Sequence, residues 1–455
     1  MKSGIGALVL LLLLACGLSR PLGSLLLPAT ATPLPSSTPT DMPTQTPSPI
    51  PTATLTPTPT ATPTPVPRLP AAVIPENLGV NIHFTSATQQ VYDALADTGF
   101  GFVRMDLAWS AVELSQGNYD FSKYDTLVAS MLQRHVRLIL ILDYGNRLYD
   151  DGQAPFTDAG RMAFARFAAA AASRYAGKGI LWEIWNEPNL DKFWKPKSNL
   201  QDYASLAFTT AAAVRQADPS GLIIGPAVCC FGDQSTWSFM DMLGKVGVLG
   251  QFDAVSVHPY GISTPEKVGP DYTRLRLLLQ KYSPGRNLAI ISGEWGFSTK
   301  SMSDVEQAEF LVRSWLINLS DSIDLSIWYD WKDDCAAPAN IECHFGLYDY
   351  YQNPKPSYWA ARTLMHVLDG YTFSRQVDSP GANDYLLQFT RGEASILVAW
   401  TVSDPHFITL PVPAADVKAT SMLGESLSLA QGGGDLTIEI SQSPQYLYLG
   451  SRSIP

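Results

Sequence analysis

The feature that most constrains this chain is an alternation, sustained from residue 78 to residue 368, of short apolar runs with longer segments of helical periodicity. The runs are LGVNIHF (78–84), FGFVRMDL (100–107), VRLILILDY (136–144), ILWEIWNE (180–187), LIIGPAV (222–228), FDAVSVHPY (252–260), LAIISGEWG (288–296) and LSIWYDW (325–331). Helical candidates lie between and after them, near 88–98, 122–134, 158–176, 200–217, 235–245, 271–282, 303–319 and 356–368. Runs this short and this apolar are strands covered on both faces, and strand followed by helix is the repeat of a parallel sheet. Eight such units predict a (β/α)8 TIM barrel over residues 71–370. An open doubly wound sheet is the rival, and the missing Gly-rich phosphate loop after the first strand counts against it. The third helical segment, DAGRMAFARFAAAAASRYAG, is expected to start at its Asp and stop at its Gly.

From Tyr371 the texture changes to YLLQFTRG, SILVAWT, FITLPV, LTIEI and PQYLYLG, strands with turns and no helices between them. They predict a small β-sandwich accessory domain over 371–455, whose simplest role is packing against the barrel and whose alternative role is binding carbohydrate. Ahead of the barrel, MKSGIGALVLLLLLACG has one basic residue and an apolar stretch too short to span, as in a secretory signal. Leu13-Leu14-Ala15-Cys16 resembles a lipobox, so residues 1–16 are expected to be a signal segment with Cys16 as lipidation site. The alternative is an ordinary signal peptide that happens to contain a Cys. Residues 17–70 form a Pro/Thr-rich linker with too few apolar side chains to repay ordering. Extended at about 3.1 Å per residue, the roughly 40 residues from Pro28 to Pro67 would reach on the order of 100 Å. Such a stalk suits an extracytoplasmic enzyme held at the cell surface.

A net charge of -11 and a pI near 5.0 oppose encounter with nucleic acid or an acidic lipid surface. Membrane association is therefore expected only through the lipid anchor, with a neutral ligand and no obligate protein partner evident. Five cysteines leave four once Cys16 is set aside. Cys335 and Cys343 are expected to pair across CAAPANIEC. The adjacent Cys229 and Cys230 form either a vicinal disulfide or, the preferred reading, two buried thiols.

In a barrel the strand C-termini converge on one face, so polar residues at strand ends are the ones that suggest chemistry. They are His83, Arg104, Asn186, Glu187, His258, Tyr260, Glu294 and Trp331. Burying so many groups is unfavourable unless they satisfy one another or a ligand. Glu187 and Glu294 end the fourth and seventh strands and would face each other across the mouth. Paired carboxylates suit glycosidic cleavage, one protonating the leaving oxygen and one attacking the anomeric carbon. Arg104, after FGFV, needs a carboxylate partner if buried. Structural alternatives stand beside these readings: Glu187 as a salt-bridge glutamate, Glu294 in a structural Gly-Glu-Trp-Gly, and His258 and His83 as satisfied core histidines. Trp331 competes with Trp328 and Tyr329; alternation puts Tyr329 and Trp331 on one side, with Trp331 nearer the mouth. Glu183 is expected to be paired deep in the barrel and Asp106 to line the rim. Acidic loops such as YDWKDD match no calcium-loop spacing, so neither a metal nor a cofactor is expected.

Over residues 75–370 the strings WNEPN, GVNIHF, VRMDLAW, HPY and SGEWG resemble the barrel-fold retaining glycosidases that include glycoside hydrolase families 5 and 39. The resemblance implies Glu187 as acid/base and Glu294 as nucleophile, with Asn186 bonding the substrate 2-hydroxyl and the nucleophile. It further implies Arg104 and Tyr260 beside Glu294, His258 and His83 on sugar hydroxyls, and Trp331 as the stacking platform. The expected function is hydrolysis of β-glycosidic bonds in extracellular or cell-wall polysaccharide or oligosaccharide through a glycosyl-enzyme, the family 39 likeness pointing to β-xylosides or exopolysaccharide and the family 5 likeness to β-glucan or mannan. The alternative is a surface barrel that binds carbohydrate without turnover.

Overall fold

All eight apolar runs pair as parallel strands in the computed structural model, which describes residues 69–455 apart from 415–416, 430–433, 453 and 455. The signal segment, Cys16 and nearly all of the linker lie outside the described residues. The strands are β1 (Leu78–Asn81), β2 (Phe102–Ala108), β3 (Arg137–Asp143), β4 (Leu181–Ile184), β5 (Leu222–Cys229), β6 (Ala254–His258), β7 (Ala289–Trp295) and β8 (Leu325–Trp328). They close in sequential order, with β1 hydrogen-bonded to both β2 and β8. Helices α1 (Gln89–Thr98), α2 (Ser122–Gln133), α3 (Asp158–Arg174), α4 (Leu200–Ala217), α5 (Gln234–Lys245), α6 (Gly269–Tyr282), α7 (Asp304–Ser320) and α8 (Pro356–Val367) each follow a strand. No helix among the described residues is long and apolar enough to cross a membrane.

Local chemistry sets the helix ends. Helix α3 starts at Asp158, as expected from sequence, and is capped by Thr157, whose hydroxyl accepts from Gly160 N. The helix ends at Arg174, before Gly177 takes its left-handed φ of 78°. A full capping box starts α7, with Ser303 and Glu306 each bonding the other's backbone N–H.

Strand alternation divides the barrel. One set of side chains, including Val103, Leu138, Leu140, Ile223, Val255 and Ile290, faces the helices. The other set fills the interior: Phe102, Ile139, Leu181, Ile224, Ala254, Ile291, Leu325 and Ile327 make a closed apolar floor. Burying each large member contributes roughly 1.5–3 kcal/mol. Gly79 completes this layer because a Cβ there would lie 2.5 Å from Phe102 O. Further along the same interior positions the residues become Asn81, Arg104, Glu183, Ser256 and Ser292, all buried. The floor therefore fixes the barrel and the upper interior is left for polar chemistry.

The C-terminal strands are β9 (Thr372–Gln376), β10 (Asp384–Arg391), β11 (Ala394–Thr401), β12 (His406–Pro413), β13 (Lys418–Ser421), β14 (Ser426–Leu427), β15 (Asp435–Ile440) and β16 (Gln445–Gly450). Six form an antiparallel sheet in the order β9-β10-β11-β16-β13-β14, covered by the β12–β15 pair to make a sandwich. Both faces of the large sheet are used. Leu386, Leu397, Ala399, Leu447 and Leu449 meet Ile408, Leu410, Leu436 and Ile438 inside the sandwich. Leu387, Phe389, Ile396, Val398, Trp400 and Tyr446 belong to the barrel's own apolar cluster. At that junction Trp400 stacks on Tyr385 at 4.9 Å and donates to Glu266 Oε1 at 3.0 Å. Glu266 in turn holds buried Arg313 of α7 at 2.6 Å. Packing against the barrel, the simpler of the two expected roles, is how this sheet's outer face is used.

Candidate active site

The polar half of the barrel interior is organised by one guanidinium. Arg104 is 1% exposed, and its Nε donates to Glu183 Oε2 at 2.6 Å. Its Nη1 donates to Asn81 Oδ1 (3.1 Å) and Glu294 Oε2 (2.8 Å), and its Nη2 to Asn186 Oδ1 (2.8 Å) and His258 Nε2 (3.4 Å). Five N–H groups thus have five acceptors, the condition under which a buried cation is tolerated. Glu183 is the paired structural carboxylate expected from sequence.

Glu187 sits beyond the end of β4, where Trp185 and Glu187 take left-handed φ values of 69° and 46°. Each costs on the order of 1 kcal/mol or more and turns the segment off the strand's alternation. Backbone bonds from Trp185 N to Leu142 O (3.1 Å) and from Glu187 N to Ala227 O (3.0 Å) hold the turn. Glu294 lies on β7, where Tyr260 OH donates to its Oε1 at 3.1 Å, as expected from HPY. Beside it, a Cβ on Gly293 would lie 2.2 Å from Ser256 Oγ and 3.3 Å from Glu183 Oε1.

The two glutamates approach closely: carboxylate oxygens of Glu187 and Glu294 and a ring nitrogen of His258 all fall within 4.8 Å of one another. His258 is fully buried, and burial lowers it to about 4, so its ring is neutral at pH 7. Because Arg104 can only donate, Nε2 is the acceptor and the single ring proton is on Nδ1, where it meets Glu187 Oε1 at 2.8 Å. Burial raises Glu187 to about 7 against the opposing charges of Arg104 and Lys192. Burial raises Glu294 as well, opposed by the charge of Arg104, and its two oxygens receive the Arg104 and Tyr260 donors. One carboxyl is therefore poised to hold a proton near neutrality, while the other is held by a cation and a phenol.

A cavity of about 390 Å³ opens above the pair. Asn81, His83, Arg104 and Asp106 line one part of it, and Tyr144, Leu190, Phe193, Tyr260, Tyr329 and Phe345 supply apolar surface. His83 Nε2 lies 2.9 Å from Asn81 Nδ2, and Nδ1 faces Asp334 Oδ1 at 2.7 Å and Asp330 Oδ2 at 3.5 Å. Burial pulls His83 down, but the Asp334 hydrogen bond and the charges of Asp330 and Asp334 outweigh it and raise it to about 9. Among the described residues, two groups have metal-ligand chemistry, His83–Asp330–Asp334 and Glu187–His258–Glu294. In the first the imidazole is hydrogen-bonded to a carboxylate, and in the second Arg104 supplies the positive charge beside Glu294.

Several expectations change. Trp331 is buried against Tyr348 (4.7 Å) and Phe100 (6.3 Å), away from the glutamate cavity, and Tyr329 lines that cavity instead. The reason is that β8 ends at Trp328, so the alternation used to choose Trp331 stops before reaching it. His258 faces the two carboxylates rather than the cavity where a sugar would lie. Asn186 bonds Arg104 and Tyr144 OH (3.0 Å) and reaches Glu294 only through Arg104, leaving an amide hydrogen for a ligand. Cys335 and Cys343 are bonded, as expected; Cys229 and Cys230 are bonded as well, against the preferred reading of two thiols. Sequence reading passed over Asn81, Tyr144, Lys192, Phe193, Glu342 and Phe345, all of which line the cavity. Only Asn81 and Tyr144 carried a signal, as polar or aromatic residues closing apolar runs.

Residues 70–334 match the family model described as Cellulase (glycosyl hydrolase family 5). A β-xylosidase of Geobacillus stearothermophilus is 38% identical over 100 residues, 22% of this chain and 19% of the relative. A second β-xylosidase, from Caldicellulosiruptor saccharolyticus, is 28% identical over 222 residues, 42% of this chain and 43% of the relative. The alignments thus span less than half the length of either curated relative. Among solved structures, a family 39 glycoside hydrolase from the gut symbiont Bacteroides cellulosilyticus WH2 superposes with a TM-score of 0.73 at 25% identity, covering 84% of this chain and 83% of that one. A family 39 β-xylosidase from Caulobacter crescentus shares the fold, with a TM-score of 0.63 at 17% identity over 85% of this chain and 98% of that one.

Proposed function

The chain belongs to the cellulase family, glycosyl hydrolase family 5, and on that footing we propose that it is an extracytoplasmic retaining β-glycosidase. Glu187 is the acid/base and Glu294 the nucleophile. The observation that carries this reading is the approach of their carboxylate oxygens to within 4.8 Å. Retaining enzymes hold their carboxyl groups about 5–5.5 Å apart, and inverting enzymes hold them about 6.5–9.5 Å apart to admit a water. Protonated Glu187 donates to the leaving oxygen while Glu294 attacks the anomeric carbon and forms the glycosyl-enzyme. Glu187, then ionised, takes a proton from the water that releases the sugar. Arg104 and Tyr260 keep Glu294 in its attacking form, Asn186 offers an N–H to the 2-hydroxyl, and Tyr329 replaces Trp331 as the ring nearest the sugar.

The two curated relatives named β-xylosidase support β-xylosides as the substrate class. Chain-end cleavage is favoured over mid-chain cleavage by the loops that follow β4 and β8, strands on opposite sides of the barrel. Lys192 from one meets Glu342 from the other at 3.3 Å. That exposed pair is worth little by itself; the second loop is also stapled by Cys335–Cys343. Domain limits of 71–370 for the barrel and 371–455 for the sandwich, a signal segment ending at Cys16 and a lipid-anchored stalk complete the proposal.

The test is hydrolysis of aryl β-glycosides and xylo-oligosaccharides by the chain lacking residues 1–67, beside Glu187→Gln and Glu294→Gln, with the anomer followed by NMR. Cleavage with retention, lost in Glu294→Gln and reduced by about 10²–10⁴ in Glu187→Gln, is expected. Inversion would refute the double displacement, and binding without cleavage would favour the non-catalytic carbohydrate-binding barrel.

A further inference from the structure

The bond between Cys229 and Cys230 is unusual in both place and kind. A disulfide stabilises a fold mainly by closing a loop in the unfolded chain, and the benefit grows with the loop. Cys335 and Cys343 are eight residues apart, whereas Cys229 and Cys230 are neighbours and close essentially no loop. Its role must then be local. Both residues line the cavity above the two glutamates. Cys230 holds a left-handed φ of 78°, and its N–H donates to His258 O at 2.9 Å.

The bonded pair is tied to the acid/base segment. Asn189, two residues after Glu187, accepts from Cys229 N at 3.1 Å and donates to Cys229 O at 3.0 Å. Thr236 Oγ1 donates to the same carbonyl at 2.6 Å. With Cys230 O accepting from Asp233 N at 3.0 Å, the backbone N–H and C=O groups of both cysteines are bonded, so the disulfide is what this pair has left to offer the cavity that it lines. Leu190 and Phe193, from the chain just after Glu187, line the same cavity. The glycone side, by contrast, is built from hydroxyl-binding groups such as His83 and Asn81.

We infer that the Cys229–Cys230 disulfide is a rigid apolar platform for the leaving-group sugar, and that it sets specificity on that side of the scissile bond. This rests on Glu187 being the acid/base, since the acid marks the leaving-group side. Two bonded sulfurs have no N–H or O–H donor and are polarizable, so they suit the C–H face of a pyranose and do not read its hydroxyl pattern. The platform therefore selects a ring of the right shape and tolerates different sugars in the leaving position.

The test compares two substrates that differ only on that side: β-1,4-xylobiose, and β-xylosyl fluoride, whose leaving group is a single atom. Both are assayed with Cys229→Ala/Cys230→Ala and with native protein treated with a phosphine reductant, opening of the 229–230 bond being verified by peptide mass spectrometry. Loss of about tenfold in kcat/KM for xylobiose, carried by KM, with fluoride hydrolysis within about twofold of native, is the expected result. Equal loss on both substrates would mean that the bond merely supports the catalytic geometry, and no loss on either would mean that it touches no substrate; each overturns the inference. The reduced native protein decides the matter if the double variant does not fold. If untreated protein cleaves neither substrate, the β-xyloside reading falls, and this inference falls with it.

Discussion

Replacing Arg104 by Met removes the one positive charge that reaches Glu183, Asn81, Glu294, Asn186 and His258 together. Two consequences can be worked out separately. Glu183 is wholly buried and Glu294 nearly so, and stripping a buried carboxylate of its cation costs about 3–5 kcal/mol of stability. The second consequence concerns ionisation. With charge centres about 4 Å apart and an effective dielectric near 20, the Arg104–Glu294 attraction is about 4 kcal/mol, equivalent to about three pKa units. Glu294 is already raised by burial, and losing Arg104 raises it further. A nucleophile must be ionised, so the acid limb of kcat/KM moves to higher pH, and activity near pH 6 drops on the order of 10²-fold or more. The assay is kcat/KM for an aryl β-xyloside from pH 4 to about 9, with urea unfolding followed by tryptophan fluorescence. Arg104→Lys keeps the charge with three donors in place of five, and should restore the acid limb better than the stability. An Arg104→Met protein whose acid limb and unfolding midpoint both match the native values would refute the hub assignment.

Other expectations follow from the same geometry. Glu187, raised to about 7, must be protonated to act as acid, so glycosylation activity should fall as pH rises through about 7; a limb near the ordinary carboxylate range would contradict the burial argument. Gly293→Ala puts a methyl 2.2 Å from Ser256 Oγ, beneath Glu183 and His258, and is expected to lower kcat/KM at least tenfold with native-like circular dichroism. Trp400→Ala, at the junction between sheet and barrel, should cost about 3–5 kcal/mol in urea unfolding while leaving KM unchanged.

Legibility from sequence tracked how far regular backbone extends. Apolar periodicity located all eight runs, and polar residues on the strands, Arg104 and Glu294, and just past them, Glu187 and Tyr260, converge on one cavity. Past the end of the eighth strand the choice among neighbouring rings failed. Trp331 was chosen by alternation, but pairing stops at Trp328, and Tyr329 reaches the cavity instead. Lys192, Phe193, Glu342 and Phe345 come from loops whose paths depend on hydrogen bonds to distant backbone, such as Thr299 N to His344 O, which no local pattern encodes. The vicinal disulfide was written in the sequence as Cys-Cys; its bond depended on the left-handed turn at Cys230, which composition does not reveal.

The shared guanidinium also bears on how this site can change over generations. Asn81, Glu183, Asn186, His258 and Glu294 have one partner in common, so a substitution at any of them alters the hydrogen-bonding balance felt by the other four. Their effects cannot add, and pairs of changes should show coupling energies of roughly 0.5–3 kcal/mol. A lineage altering one member is pushed to compensate at another or to revert. Variation in sugar preference is therefore expected to accumulate among the loop residues around the mouth, while the five acceptors are inherited as a block.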